Sequence, residues 1–340
     1  MSILRTLARD FQFLFPANKH GQERLRWFVL TLQAILVPIT LSRTSNLLRA
    51  IETLFGVDIA QWRYYTFMAS VKLPWEAIWE RLWQAIPSPL VDGRLVLALD
   101  DSINPKTGKK IFACQRTFDH AAKCNQSRWP WAQTLVTVGL LKPIHGRWSC
   151  LPLAFAFYLR RETVSRGCLR VRGKAVVFAD KFTQAVALIA RVGGFFRQAP
   201  VLVVTDSWFG NNGLFKPLRE RLGKRVQLLS RLRVNAALYA LPTPAPGKAG
   251  RPRKYGERLG SAADMAAAMR SQARTFTLHV YGALREVVAA ERVVMLKTLR
   301  CPVRVVWVYR RTQWVALMST DLTLSVEQII EYYAARWKIE

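Results

Sequence analysis

The amino-acid sequence predicts an α/β protein in which a mixed sheet carries helices on both faces and is preceded by an all-α segment. Three observations support this. Apolar residues recur at three-to-four spacing over about the first 89 positions, short apolar runs then follow in the order βββαβαβ, and β-type runs return near position 275. With 51% apolar and 21% charged residues, the chain has the composition of a folded protein with substantial hydrophobic cores.

The N-terminal segment, residues 1–89, is predicted to form a helical domain. The residues that show the helical spacing include Phe28, Leu30, Leu32, Ile35, Leu36, Leu47, Leu48, Ile51 and Leu54. Arg43, Arg49 and Arg63 lie on the same segment. They fit either a DNA contact or a solvated helix face, and the sequence leaves both interpretations open.

Residues 90–235 are predicted to form the first part of the α/β core. Its predicted elements are strands at 95–99, 134–141 and 151–159, a helix at 185–192, a strand ending before Asp206, a helix at 211–222 and a strand at 226–229. The first and fourth strands are both followed by an aspartate, Asp100 and Asp206. Polar groups at neighbouring strand ends face one cleft in sheets of this kind.

Residues 236–322 are predicted to form a basic loop and a β-rich insertion. The stretch 241–254 is too rich in proline, glycine and cations to be a core element. Strands are then predicted at 275–281, 286–296, 303–309 and 314–319. Residues 323–340 are predicted to be a helix that starts at a Ser325–Gln328 capping box and continues to the end of the chain.

The candidate catalytic residues are Asp100, Asp206 and Glu340. Phosphodiester chemistry uses two metal ions about 4 Å apart, which require several converging carboxylates, and Mg²⁺ prefers oxygen ligands. Tyr333, Arg336 and Glu340 stand at i, i+3 and i+7, on one face of the predicted helix. An aspartate after a strand is by itself more often a turn former or helix cap, so the combination carries the prediction.

Three segments are characteristic: L-A-L-D-D-S at 97–102, V-V-T-D-S-W-F-G at 203–210 and Y-A-A-R-W-K-I-E at 333–340. Residues 90–340 resemble a DDE-type transposase of a bacterial insertion sequence, and the carboxylates are 106 and 134 positions apart. This resemblance implies a ribonuclease H-like core interrupted by a β-strand insertion between the second aspartate and the glutamate.

The resemblance also implies roles for individual residues. Asp100, Asp206 and Glu340 would bind two Mg²⁺ ions, with Mn²⁺ as a substitute. Tyr333 and Arg336 would belong to the family's tyrosine-arginine-glutamate-lysine signature and contact DNA. Asp101 competes with Asp100 for the first position, and Ser102 favours Asp100 because the family pattern is Asp, any residue, then Thr or Ser. The signature lysine is missing, which implies a chain truncated at the catalytic glutamate.

The net charge of +29, from 51 Lys and Arg against 22 Asp and Glu, points to a polyanionic partner. Arg251, Arg253 and Lys254 lie in a Gly-Arg-Pro-Arg-Lys segment that resembles an AT-hook, which inserts into the minor groove. A basic loop that contacts phosphates is the alternative. Trp307 and Trp314 fit either core aromatics or a platform for an unpaired base.

The expected function is therefore a transposase that nicks double-stranded DNA at the element's terminal repeats and joins the freed 3′ hydroxyl to target DNA, as a homodimer in the DNA complex. The alternative is an inactive, truncated transposase that binds DNA and represses transposition. A nuclease without strand transfer is a third reading. Five cysteines without a C-x-x-C pair and the absence of a long apolar stretch favour a cytoplasmic, nucleoid-associated protein without membrane contact.

Overall fold

The computed structural model describes residues 9–37, 43–70, 72–108, 111–120, 122–167, 170–171, 174–243 and 253–339. The chain divides into two compact units, Met1–Pro87 and Ser88–Glu340. Among the helices of the described ranges, none is long and apolar enough to cross a membrane.

The first unit is built from helices. They are α1 (Lys19–Leu36), α2 (Thr44–Phe55), α3 (Gln61–Met68) and α4 (Trp75–Gln84). The Asn18 side chain caps α1 by accepting a hydrogen bond from the Gly21 N–H, and Gly56 ends α2 in the left-handed conformation that glycine favours. Phe28 and Tyr64 are buried in the core of this unit.

The second unit contains a sheet of 12 strands among the described residues. Its first strands are β1 (Leu95–Pro105), β2 (Cys114–Arg116), β3 (Trp131–Ile144), β4 (Arg147–Tyr158), β7 (Val201–Thr205) and β8 (Val226–Arg231). The later strands are β9 (Ala237–Tyr239), β10 (Arg258–Ser261), β11 (Arg274–Val280), β12 (Ala283–Leu296), β13 (Cys301–Arg310) and β14 (Gln313–Ser319). Strands β5 (Arg170–Val171) and β6 (Lys174–Ala175) form a separate pair.

The strand order makes β1 and β7 neighbours inside the sheet, with β3 and β8 on either side of the pair. The order is β10-β9-β12-β13-β14-β8-β7-β1-β3-β2, with β4 also paired to β3 and β11 to β12. Strands β1, β7 and β8 are parallel, whereas β3 and β4 pair in the antiparallel sense. The predicted β-rich insertion does not form a sheet of its own, because β14 pairs with β8 and extends the central sheet.

Helices cover both faces of this sheet. The helices of the second unit are α5 (Arg161–Gly167), α6 (Lys181–Phe195), α7 (Asn212–Leu222), α8 (Ala262–Met269) and α9 (Val326–Ala335). Ile329 of α9 packs in one cluster with Val96 and Ala98. Val96 and Ala98 belong to β1, and the Lys181 side chain at the start of α6 contacts Asp101 of the same strand. Since side chains alternate along a strand, α9 and α6 lie on opposite faces of β1.

The predicted boundaries at Asp100 and at Arg336 are wrong. Strand β1 does not end at Leu99 but continues through Asp100 to Pro105, because β3 pairs with it along this whole length. The helix that begins at the Ser325–Gln328 capping box, as predicted, does not continue to the end of the chain as an α-helix. It changes at Arg336 into a 3₁₀ turn, Arg336–Ile339, as helices often do in their last turn.

Candidate active site

The register between β1 and β7 brings Asp100 and Asp206 together. Leu99 and Thr205 form the last pair of the parallel ladder, and each is followed directly by one of the two aspartates. Adjacent strands lie about 4.8 Å apart, so both carboxylates stand at one edge of the paired region. The negative charge of Asp206 raises the pKa of Asp100, as expected for two carboxylates that lie close together.

A tight turn fixes the carboxylate of Asp206. Its Oδ1 accepts hydrogen bonds from the N–H groups of Trp208 and Phe209, both at 3.0 Å, and its carbonyl oxygen accepts from the Ser230 hydroxyl at 2.7 Å. A side chain on Gly210 would place its Cβ 2.1 Å from Ser230 Oγ, so only glycine fits there. The T-D-S-W-F-G segment is therefore a turn whose geometry requires both residues: the aspartate accepts its hydrogen bonds, and the glycine leaves room for Ser230.

Arg336 pairs with Asp100 across the sheet face. Its Nη1 lies 2.5 Å from Asp100 Oδ2, and the residue is only 4% exposed. The guanidinium carbon lies 4.7 Å from the centre of the Trp337 ring and 5.7 Å from that of Tyr333, so the cation is held between two aromatic faces. This explains why an arginine is found in a buried position at the end of α9.

The pKa of Asp100 is raised to about 6. Burial is the largest cause, the guanidinium of Arg336 and the N–H of Asp101 lower the pKa, and the charges of Asp206 and Asp101 raise it. The pKa of the Tyr333 hydroxyl is also raised, chiefly by burial and against the lowering effect of Arg336. Tyr333 therefore remains protonated at neutral pH.

Asp101 points away from this site. Its Oδ2 lies 2.5 Å from Lys181 Nζ, and that ammonium also lies 5.5 Å from the centre of the Trp208 ring. Asp100 faces α9 while Asp101 faces α6, as the alternation of side chains along β1 requires. The structure thus brings Asp100, and not Asp101, together with Arg336.

The remaining predicted site residues have different placements. Tyr333 lies beside Arg336 and is 9% exposed, whereas Glu340 and Arg251 lie outside the described residues. The prediction that positions 333, 336 and 340 share one face assumed an α-helix as far as position 340. The 3₁₀ turn changes the rotation per residue after position 335, so this assumption does not apply there. Arg253 and Lys254 are exposed.

A cavity of about 430 Å³ opens beside Tyr333. The side chains around it combine cations with aromatic rings and include Arg231, Arg285, Arg310, Trp314, Tyr333 and Trp337. Of the two tryptophans that could serve as core aromatics or as a platform for a base, Trp307 has a fully buried ring, and its Nε1–H donates to the Ala262 carbonyl oxygen. Trp307 is a core residue, whereas Trp314 borders the cavity.

The sequence alone did not identify Arg231, Lys181 or Ser230 as neighbours of the site. Ser230 and Arg231 end β8, the third parallel strand, so the rule that strand ends meet at one edge could have suggested them. Lys181 follows the N-cap Asp180 of α6, and no local pattern marks it.

The donor set suits a hard divalent cation only in part. Asp100 and Asp206 supply carboxylate oxygens, and the raised pKa of Asp100 shows that an added positive charge would be favourable there. The guanidinium of Arg336 already lies on Asp100 Oδ2. Within the described ranges no group of three or more His, Cys, Asp or Glu side chains converges, so these residues provide two ligands.

Two carboxylates directly after the parallel pairing of β1 with β7, with a buried arginine paired to one of them, define a candidate nuclease site in a mixed α/β fold. The chain belongs to a family of DDE superfamily endonucleases, whose model matches residues 15–288. The match includes Asp100 and Asp206 and ends within β12, before α9.

No curated protein matches the sequence. Among solved structures, the chain is similar to the crystal structure of the NurA nuclease from Sulfolobus solfataricus, at 7% identity and a TM-score of 0.28, over 81% of this chain and 85% of that one. The family match is therefore the comparison that bears on function, and it supports a nuclease that depends on divalent metal ions.

Proposed function

We propose that the protein is a DDE-type transposase of an insertion sequence, which nicks DNA at the element ends and transfers the freed strand. The observation that carries the proposal is the β1–β7 register, which sets Asp100 beside Asp206. Arg336, which follows α9 and stands 130 positions beyond Asp206 in the chain, pairs with Asp100. The family match supports the endonuclease part.

The topology supports a ribonuclease H-like core. Strands β4, β3, β1, β7 and β8 lie side by side in that order, with antiparallel pairing up to β1 and parallel pairing from β1 onward. The strands from β9 to β14 lie between Asp206 and α9 in the sequence. This is the position of the β-strand insertion in the transposases that the sequence resembles.

In this proposal, the two aspartates hold metal and the surrounding residues position DNA. Asp100 and Asp206 would bind Mg²⁺ or Mn²⁺ with Glu340 as a third ligand, and the metal would activate the attacking hydroxyl and stabilise the leaving oxygen. Arg336 would release Asp100 and hold a phosphate oxygen. Tyr333 would orient Arg336 through its ring and by accepting a hydrogen bond from the guanidinium at its hydroxyl oxygen.

The cationic surface supports DNA as the substrate. Arg231, Arg285 and Arg310 border the cavity beside Tyr333, and phosphate contacts from such residues would fix the register of a duplex on the protein. Arg253 and Lys254 would extend the contacts along the DNA. Because a transposase acts on two element ends, the proposal includes a homodimer in the DNA complex.

One observation favours a second candidate, a DNA-binding repressor without catalytic activity. The Arg336–Asp100 ion pair occupies one oxygen of a proposed metal ligand, so a metal ion would compete with the guanidinium for this carboxylate. If Arg336 does not leave Asp100 when DNA binds, the cationic surface would still bind element ends.

The experiment compares the wild-type protein with Asp206→Ala and the matched control Glu220→Ala. Glu220 is an exposed acid on α7, paired only at 3.8 Å with Lys216. With element-end DNA and Mg²⁺ or Mn²⁺, we expect nicking and strand joining by wild type and control. Asp206→Ala should bind with the same affinity and lose nicking by a factor of about 10³ or more.

Each alternative has its own outcome in this assay. DNA binding without nicking by wild type identifies the repressor, and nicking without joining identifies a nuclease that lacks strand transfer. Unchanged nicking by Asp206→Ala removes that residue from the site and contradicts the proposal.

A further inference from the structure

A polar network far from the carboxylates ties α9 to the start of β1. Asp92 and Gly93 form the two-residue turn between Val91 and Arg94, with φ of 48° and 74°. Positive φ at both central positions is the requirement of a type I′ turn, and Asp-Gly satisfies it. The turn therefore holds the Asp92 carboxylate in a fixed place directly before β1.

Two side chains of α9 donate to the same oxygen of Asp92. Gln328 Nε2 donates to Asp92 Oδ2 at 3.1 Å, and the Tyr332 hydroxyl donates to this atom in a short hydrogen bond. Gln328 and Tyr332 are one helical turn apart and share a face of α9. Tyr332 is 1% exposed and packs edge-on against Trp148. Burial and then the contact with Asp92 raise the pKa of its hydroxyl, so it remains a donor at neutral pH.

The residue after the turn holds the segment that leads into α9. Arg94 Nε donates to Asp321 Oδ2 at 2.9 Å, and its Nη2 donates to the Thr323 hydroxyl at 2.7 Å. The side chains of Arg94 and Asp321 are 19% and 12% exposed, so water screens this ion pair little. The turn at 91–94 thus contacts both the entry to α9 and its middle.

These contacts set where the end of α9 lies along β1. From Tyr332, one further turn of helix reaches Arg336, and from Arg94 the strand runs six residues to Asp100, about 20 Å at 3.3 Å per residue. The helix is therefore joined to β1 at two separated points, the Asp92 cluster and the Arg336–Asp100 pair. A shift of the first would move the second.

We propose that Asp92 is a positioning residue for the active site: as shared acceptor of Tyr332 and Gln328, it fixes the axial position of α9 and hence the place of Arg336 relative to Asp100. The inference rests on the proposed function for its catalytic consequence, while its structural part is independent of that function. A displacement of about 1 Å at a catalytic group can cost about 100-fold in rate.

The test uses two substitutions that leave the turn intact. Asp92→Gly and Asp92→Asn both tolerate positive φ, but only asparagine keeps a carbonyl oxygen able to accept two hydrogen bonds. We expect single-turnover nicking by Asp92→Gly to fall about 10- to 100-fold with unchanged affinity for DNA. Asp92→Asn should retain most of the wild-type rate. Tyr332→Phe should resemble Asp92→Gly, and the double variant should be no slower than either.

Tyr64→Phe is the matched control. Its hydroxyl is buried and lies 2.9 Å from the Thr31 hydroxyl, in the other unit of the protein. The control should lose stability like Tyr332→Phe but keep the nicking rate. Equal loss of nicking by this control, wild-type nicking by Asp92→Gly, or equally slow nicking by Asp92→Asn would overturn the positioning role.

Hydrogen exchange separates this inference from the proposed function. Backbone amides at 333–339 should exchange faster in Asp92→Gly and Tyr332→Phe than in the wild type, Asp92→Asn or Tyr64→Phe. If the wild type does not nick DNA, the proposed function fails, and this exchange pattern still decides whether Asp92 holds the end of α9. Unchanged exchange in Asp92→Gly would refute the inference.

Discussion

At the scale of single residues, Asp100 and Asp101 show how one strand gives adjacent carboxylates different chemistry. Asp101 has an ammonium partner at the start of α6. Asp100 is half-buried beside a guanidinium and a second carboxylate, and desolvation is the main reason its pKa rises to about 6. A carboxylate with a raised pKa gains more than an exposed one from a bound cation.

The raised pKa of Asp100 predicts the pH dependence of nicking. Only the ionised carboxylate binds metal, so the rate should increase as pH rises through about 6 and level off above it. Single-turnover nicking measured from about pH 5 to about pH 8 checks this. A rate that is constant over this range would contradict the assignment of Asp100.

The substitution Arg336→Gln tests whether the ionisation of Asp100 sets the midpoint of this pH dependence, the pH at which the nicking rate is half its maximum. Arg336 lowers the pKa of Asp100, so its neutral replacement should move the midpoint of any remaining activity to higher pH. Arg63→Gln removes an exposed ion pair with Glu23 in the first unit and should leave the midpoint in place.

Gly210 gives a second prediction at this scale. A Cβ at this position would lie 2.7 Å from Ser230 Cβ and 3.1 Å from the Asp206 carbonyl oxygen, so Gly210→Ala must displace the turn that holds Asp206. We expect a loss of unfolding free energy of about 1–3 kcal/mol, with reduced nicking.

Gly194→Ala is the control for this substitution, because nothing lies within 4 Å of the corresponding Cβ and the position is inside α6. Chemical denaturation should show this variant to be as stable as the wild type or more so. Equal stability of both variants would mean that the turn at Asp206 has room to adapt.

At the scale of secondary-structure elements, the sequence predicted the helices and strands whose signals lie within their own residues. The buried run Val201–Thr205 and the capping box at Ser325 were placed correctly. Helix α8, Ala262–Met269, was missed because its alanine-rich sequence has little polar contrast to show a period. The extension of β1 past Asp100 was missed because pairing with β3, which no local pattern encodes, sustains it.

The same reasoning explains what could be predicted of the candidate site. Asp100 and Asp206 each follow an apolar run, so the sequence indicated that they lie side by side, although only Asp206 follows the end of its strand. Arg231 and Lys181 reach the neighbourhood of these carboxylates through strand order and helix packing. Sequence patterns carry no direct record of such contacts.

The two capping boxes allow a prediction about α9. Ser325 accepts from the Gln328 N–H at the start of α9, and Ser261 accepts from the Asp264 N–H at the start of α8. Replacement of either serine by alanine should lower the free energy of unfolding by about 1 kcal/mol. Only Ser325→Ala should speed hydrogen exchange in α9, since the helices are capped independently. Faster exchange in α9 caused by Ser261→Ala would show that the two helices unfold as one unit.

At the scale of the whole molecule, the net charge of +29 should dominate the affinity for DNA. Release of counterions makes the logarithm of the binding constant fall linearly with the logarithm of salt concentration, and the slope counts neutralised phosphates. If about 6–10 phosphates are contacted, affinity should fall by a factor of about 10³–10⁵ between about 50 and about 200 mM salt. Fluorescence anisotropy with a labelled duplex measures this slope, and a weak salt dependence would mean that the surplus cations do not face DNA.

The exposed Arg253 and Lys254 provide the last prediction. Each contact with a phosphate adds about one to the salt slope, so replacement of both by alanine should reduce the slope by about two and weaken binding equally for AT-rich and GC-rich duplexes. Insertion into a narrow minor groove instead predicts a loss confined to AT-rich DNA, because only that groove offers the enhanced negative potential. Arg63→Ala together with Lys216→Ala removes the same charge from exposed positions on other helices. If this control lowers the slope as much as the loop variant, the contribution belongs to the overall charge and not to the loop.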